Sequence, residues 1–148
     1  MAVHSAEISR GAEQTSLAKG AVVVLGRFLF TLIFLASGLR HFSMQTIAFA
    51  ASQGVPLASI AVPFSGILAV VGGLSVLLGY RAKLGAWLIV LFLVPITLMM
   101  HRFWGISDPM QAQTQIIMFM KNVSMLGGAL VISQLGAGPL SFDARRER

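Results

Sequence analysis

No acidic residue occurs between Glu13 and Asp108, and most of the apolar sequence of the chain lies in that interval. Only 11% of all residues are charged, whereas soluble domains carry about 25%. A soluble fold of 148 residues could not cover its surface with so few charges. The chain is therefore predicted to be an integral membrane protein with one domain.

Four apolar segments are long enough to cross a bilayer, which takes about 20 residues. They cover about residues 20–39, 57–79, 84–100 and 115–135. Because a chain in hydrocarbon must satisfy its own backbone hydrogen bonds, we predict an all-α, four-helix bundle in the membrane. This four-span domain covers residues 20–143, between an N-terminal tail over 1–19 and a basic tail over 144–148.

Basic residues are divided unequally between the two sides of these spans. One side holds Arg10, Lys19, Arg81, Lys83, Arg145, Arg146 and Arg148, and the other holds Arg40, Arg102 and Lys121. Cytoplasmic loops carry an excess of Lys and Arg, so both termini are predicted to be cytoplasmic. The net charge of +6 is explained by residues that flank apolar runs and meet anionic lipid. Nucleic-acid binding is therefore not expected.

Several kinds of chemistry are excluded by residues that the chain lacks. Cysteine is absent, which removes disulfides, thiolate metal sites and thiol nucleophiles. The sequence has no Gly-rich phosphate loop, paired catalytic carboxylates or zinc motif. His41 and His101 could serve haem iron, but no third ligand stands at metal spacing. We therefore predict no metal site and no self-contained hydrolytic chemistry.

Polar residues at the ends of the spans form the main candidate site. The helix order predicts that they share one layer on the outer side: Arg40, His41, His101, Arg102, Trp104, Asp108, Lys121 and Asn122. Taken singly, Trp104 is typical of an interfacial aromatic belt, and Arg40 and Arg102 are typical of snorkelling anchors. Either histidine alone is explained by an ordinary interfacial position. Together they predict an outer-side polar pocket.

Lys121 and Arg27 lie inside apolar spans, where an ionisable group costs at least about 2.5 kcal/mol near the centre. Asp108 is the only carboxylate available to pair with Lys121 on the outer side. Arg27 lies in the inner half of the first span, and its best partner is Asp143 after the fourth span. We predict a structural ion pair between Arg27 and Asp143, with binding of a quinone head group or a lipid phosphate as the alternative.

Two local patterns predict how the helices are arranged. Small residues four apart, Ser65, Ala69 and Gly73, predict a face on which the second helix approaches a neighbour closely. The connection "RHFSMQTIAFAASQGVP" spaces its apolar residues as a short amphipathic helix does. Such a helix would lie in the membrane interface.

Five blocks of sequence resemble the DoxX family of small bacterial four-helix membrane proteins, over Gly26–Asp143. They are "GRFLFTLIFLASGLRHF", "GVPLASIAVPFSGILAVVGGLSVLLGY", "TLMMHRFWGISDP", "FMKNVSMLGGAL" and "GAGPLSFD". The resemblance implies a multi-pass protein of the bacterial inner membrane. It carries no agreed catalytic residues.

This resemblance implies an accessory or quinone-linked component of redox or oxidative-stress metabolism. It assigns no cofactor, and a quinone is the candidate. Under this interpretation the chain could have protein partners in a membrane redox complex, and it could form an oligomer. Because the chain has no cysteine, it cannot itself take part in thiol exchange. The alternative is a small transporter, or a membrane protein that binds lipid or an anion, without redox activity.

Overall fold

The structure, a computed structural model, describes the backbone of residues 2–146 and the side chains of residues 17–146. The regular elements in this part are all helices: α1 (Ala2–Arg40), α2 (Met44–Ser52), α3 (Ala58–Leu78), α4 (Ala82–Met100), α5 (Pro109–Leu135) and α6 (Phe142–Arg146). Four of them, α1, α3, α4 and α5, are long and apolar enough to cross a membrane. The predicted all-α, four-span fold class is confirmed.

Two of the spanning helices begin earlier in the chain than the apolar segments do. α1 starts at Ala2, and its span-like part starts at Leu17. α5 starts at Pro109 because the Asp108 side chain caps it, accepting a hydrogen bond from the backbone N–H of Gln111 at 2.7 Å. Asp is a preferred N-cap, and proline suits the first helical position. In both α1 and α5, the polar residues that precede the apolar segment are therefore part of the helix.

The long helices pack in the order α1, α3, α4 and α5 around an apolar core. The largest fully buried side chains include Phe34 of α1 and Ile89 and Leu93 of α4. α1 also meets α5, where the ring of Phe30 lies over Gly128. Large apolar side chains on the outward faces remain exposed, as expected for helices surrounded by lipid.

Glycines set the closest approaches between helices. A Cβ atom on Gly66 of α3 would lie 2.8 Å from the carbonyl oxygen of Gly38 in α1. A Cβ on Gly72 would lie 2.8 Å from the carbonyl oxygen of Gly85 in α4. Small residues let membrane helices approach at backbone distance. Ala69, on the predicted small-residue face, is fully buried, but the closest approaches on α3 are at the two glycines.

The bundle has two ends, which we name by their residues. The histidine end holds His41, His101 and α2; the turn end holds the α3–α4 turn (79–81) and the C-terminal segment (136–146). The amphipathic helix predicted in the first connection is α2. It packs on α3 through an apolar cluster that includes Ala50 and Val62.

Candidate functional site

Four of the eight residues predicted for the outer-side polar pocket line one small cavity. His41, His101, Lys121 and Asn122 surround a space of about 110 Å³ between α1, α4 and α5. Apolar side chains, including Phe34 and Phe92, form the rest of its wall. We refer to it as the small cavity.

Asn122 and His41 are the buried polar members of this group. Asn122 is 4% exposed and His41 is 9% exposed. Lys121 points away from the core: it is exposed, and its Nζ contacts the Sδ atom of Met118 at 3.4 Å. His101 is half-buried, and its Nδ1 is 2.9 Å from the Oε1 atom of Gln115. The small cavity therefore has an amide and an imidazole inside and two basic side chains at its edge.

The other four predicted residues lie elsewhere. Arg102 and Trp104 line a separate recess, where Arg102 donates to the carbonyl oxygen of Gln53 at 3.3 Å. Trp104 is 53% exposed, as an interfacial aromatic residue would be. Asp108 is the N-cap of α5 rather than a partner of Lys121. Arg40 is exposed at the end of α1.

Arg27 and Asp143 both lie at the turn end, but each forms hydrogen bonds with different backbone groups. Arg27 is 5% exposed, and its Nη2 donates to the carbonyl oxygen of Leu140 at 2.9 Å. The Asp143 carboxylate instead accepts hydrogen bonds from the backbone N–H groups of Arg81 at 2.8 Å and Ala82 at 2.9 Å. Both residues therefore hold the C-terminal segment against the helices. They do not form a hydrogen-bonded pair with each other, because the Asp143 carboxylate accepts its hydrogen bonds from backbone N–H groups at the start of α4.

A larger, apolar cavity lies on the other side of His41. It encloses about 290 Å³ between α2, α3 and α4, and we call it the apolar cavity. Its wall combines residues of α2 with residues of the two spanning helices: Thr46, Ala50, Ala61, Val62, Phe64, Ser65, Leu91, Pro95 and Met99 are among them. Phe64 and Leu91 are more than half exposed, so the cavity adjoins the lipid-facing surface. Sequence reasoning missed this cavity.

The position of His41 follows from the local fold. α1 ends at Arg40, and the close approach of Gly38 to Gly66 brings the next residue between α3 and α4. There its ring packs edge-on against Phe92, with ring centroids 5.6 Å apart. The only signal in the sequence that pointed here was a histidine directly after an apolar span.

Hydrogen bonding assigns roles to the two ring nitrogens of His41. Its Nδ1 lies 2.7 Å from the carbonyl oxygen of Ser37. A backbone carbonyl can only accept, so Nδ1 must carry a proton and donate it. In the neutral ring, Nε2 is then the acceptor. Since His41 lines both the apolar and the small cavity, this ring is the polar group that the two cavities share.

Metal binding has no support from the arrangement of side chains. Over residues 17–146, no group of three or more His, Cys, Asp or Glu side chains comes together in a way that could hold a metal ion. The two cavities instead present apolar side chains and single hydrogen-bonding groups, among them His41 and Asn122.

Comparison with known proteins gives one family and two relatives. The model of the SURF4 family matches residues 6–148. The chain is 25% identical over 130 residues to the Inner membrane protein YphA of Escherichia coli, covering 86% of this chain and 92% of that protein. It is also 25% identical over 130 residues to the ER-derived vesicles protein ERV29 of Saccharomyces cerevisiae, covering 88% of this chain but only 35% of ERV29. No solved structure matches the chain.

The resemblance to the DoxX family is wrong, because the family model that matches is that of a different membrane protein family. Glycines at helix crossings and basic residues in tight turns are features that any small four-span bundle needs. These features therefore did not distinguish one such family from another. The redox complex, the oxidative-stress metabolism and the candidate quinone cofactor that this resemblance implied lose their basis with it.

Proposed function

The chain belongs to the SURF4 family, and on that premise we propose that it is a membrane protein that binds an amphipathic molecule without redox chemistry. The apolar part of the ligand occupies the apolar cavity. Its polar end meets the Nε2 atom of His41. This is the lipid-binding form of the alternative that the sequence left open.

The observation that carries this proposal is the composition of the apolar cavity wall. Ligand pockets commonly enclose about 300–1,000 Å³ and combine apolar walls with a few placed polar groups. A cavity of about 290 Å³ with His41 as its main polar side chain fits a slender apolar chain with a small polar end. The exposed side chains of Phe64 and Leu91 at its border support entry from the lipid.

The small cavity supports a role for His41 at the polar end of the ligand. The buried side chain of Asn122 and the half-buried side chain of His101 line the far side of the space that His41 also borders. Where a ligand hydroxyl that donates to Nε2 extends into the small cavity, it meets an amide and a second imidazole. Such groups can complete its hydrogen bonding.

Location and orientation belong to the same proposal. One relative is named an inner membrane protein, and we place this chain in the same kind of membrane. The excess of Lys and Arg at the turn end supports an orientation with that end and both termini in the cytoplasm. The histidine end would then face outward.

Ala61→Phe tests occupancy of the cavity, because Ala61 lines it and a phenyl ring there would fill the space. The purified protein is titrated with dansyl-labelled undecanol, whose hydroxyl can donate a hydrogen bond to Nε2. The wild type is expected to give saturable fluorescence, and Ala61→Phe is expected to lose it. The matched control is Ala36→Phe, since Ala36 is exposed on α1; it should bind as the wild type does. Equal binding by Ala61→Phe and the wild type would refute the proposed site.

His41→Phe tests the polar end, because it keeps the ring but removes Nε2. The probe is displaced with 1-decanol and with its methyl ether, which cannot donate a hydrogen bond. One net hydrogen bond contributes about 1 kcal/mol, so the wild type should prefer the alcohol by about fivefold. His41→Phe should bind both competitors equally. A preference that survives in His41→Phe would exclude His41 from ligand recognition.

A further inference from the structure

A second recess, separate from the apolar cavity, lies at the turn end between the start of α4 and the C-terminal segment. It encloses about 630 Å³. Its lining includes three basic side chains, Arg81, Lys83 and Arg146, and one carboxylate, Asp143, among the residues that the structure describes. We call it the basic recess.

The carboxylate of the basic recess is already engaged. One Asp143 oxygen accepts the backbone N–H of Arg81, and the other accepts that of Ala82. These two bonds cap the start of α4, so the negative charge is directed at the helix N-terminus. Within residues 17–146, the guanidinium and ammonium groups that line the recess do not form an ion pair with it.

Neighbouring groups hold the basic side chains in place. The Cζ atoms of Arg81 and Arg146 lie 5.9 Å and 5.7 Å from the centroid of the same Tyr80 ring. The stem of Lys83 runs past Gly136, where an added Cβ would be 3.5 Å from its Cε atom. Cation–π contacts and stem packing restrict long basic side chains without using their hydrogen-bond donors. Their donors therefore stay available to an anion.

A fourth cation stands directly behind this recess. Arg27 is buried beside Gly79 and Ser141, and its Nε and Nη1 atoms have no hydrogen-bond partner. Its Nη2 is the nitrogen that donates to the carbonyl oxygen of Leu140. Four positive groups thus surround one carboxylate at the level where α4 begins. Such an excess of positive charge favours the binding of an anion.

We propose that the basic recess binds the phosphate group of an anionic phospholipid. The lipid source follows from its apolar border: Leu84 and Leu135 line the recess and are 58% and 78% exposed. An acyl chain can lie along these leucines while the phosphate meets the three basic groups. Basic pockets between spanning helices are suited to anionic head groups. The site does not depend on the ligand of the apolar cavity.

The double variant Lys83→Gln with Arg146→Gln tests the site by native mass spectrometry of detergent-purified protein. Phosphatidylglycerol and phosphatidylcholine are added separately. The wild type should retain phosphatidylglycerol preferentially. The double variant should bind it about 20-fold to 30-fold more weakly, from about fivefold for each basic residue near an anionic surface. The control, Arg40→Gln with Arg102→Gln, removes the same charge at the histidine end and should bind as the wild type does.

Each other outcome contradicts the proposal in a defined way. Equal retention of the two lipids by the wild type, or equal loss in the test and control variants, would exclude a specific head-group site. Inorganic phosphate is the second probe. If it binds with the same dependence on Lys83 and Arg146 while phosphatidylglycerol does not, the lipid assignment is overturned. Binding of the uncharged probe, dansyl-labelled undecanol, should be unchanged in the double variant, which separates this site from the apolar cavity.

Discussion

Replacing Gly66 with alanine tests the helix crossing that places His41 between the cavities. The new Cβ would lie 2.8 Å from both the carbonyl oxygen of Gly38 and the Cβ of His41. The first of these atoms belongs to a helix backbone, so α1 and α3 must separate. Overpacking of this kind costs about 1–3 kcal/mol, while alanine is favoured over glycine in a helix by about 1 kcal/mol.

Gly127→Ala is the matched control for this substitution, because a Cβ on Gly127 meets nothing within 4 Å. It keeps the gain in helix propensity and has no clash. The free energy of unfolding of Gly66→Ala should therefore be lower than that of Gly127→Ala by about 1–3 kcal/mol, measured by denaturation in mixed detergent micelles. Binding of the dansyl probe should weaken only in Gly66→Ala. If the two variants are equally stable, α1 and α3 are not in backbone contact there.

Two further predictions concern the turn end and the orientation of the chain. Asp143→Ala removes both hydrogen bonds to the backbone of Arg81 and Ala82, so it should lower the free energy of unfolding by about 1 kcal/mol; unchanged stability would show that the cap is dispensable. Because the chain has no cysteine, a single Ser107→Cys should react with an impermeant maleimide in intact cells, and a single Ala144→Cys only after permeabilisation. The reverse pattern would invert the proposed orientation.

The number of spanning helices could be predicted because bilayer thickness sets their length. The face of each helix that points into the bundle could not be predicted from the sequence. Lys121 and Asn122 are adjacent on α5, and adjacent helical residues point about 100° apart. In the structure Asn122 is buried and Lys121 is exposed. Which of the two is buried depends on how α5 is rotated about its own axis relative to α4. Sequence spacing places both residues at one level of the membrane but does not give that rotation.

The apolar cavity escaped prediction for a different reason. Phe64 and Leu91, which border it, are the same residue types as those that face lipid on the same helices. In a soluble protein, polar residues would mark the outward face, but here both faces are apolar. The cavity also depends on α2 closing over α3, a tertiary contact between residues such as Ala50 and Val62.

Photo-crosslinking with a diazirine-labelled fatty alcohol tests the central claim most directly. The label is activated on detergent-purified protein, and modified residues are mapped by peptide mass spectrometry. Val62 and Met99 should be labelled, because they line the apolar cavity. This labelling should disappear with excess unlabelled fatty alcohol and in Ala61→Phe. Labelling that is spread equally over lipid-facing residues such as Leu29 and Ile60, and that persists in Ala61→Phe, would contradict the claim.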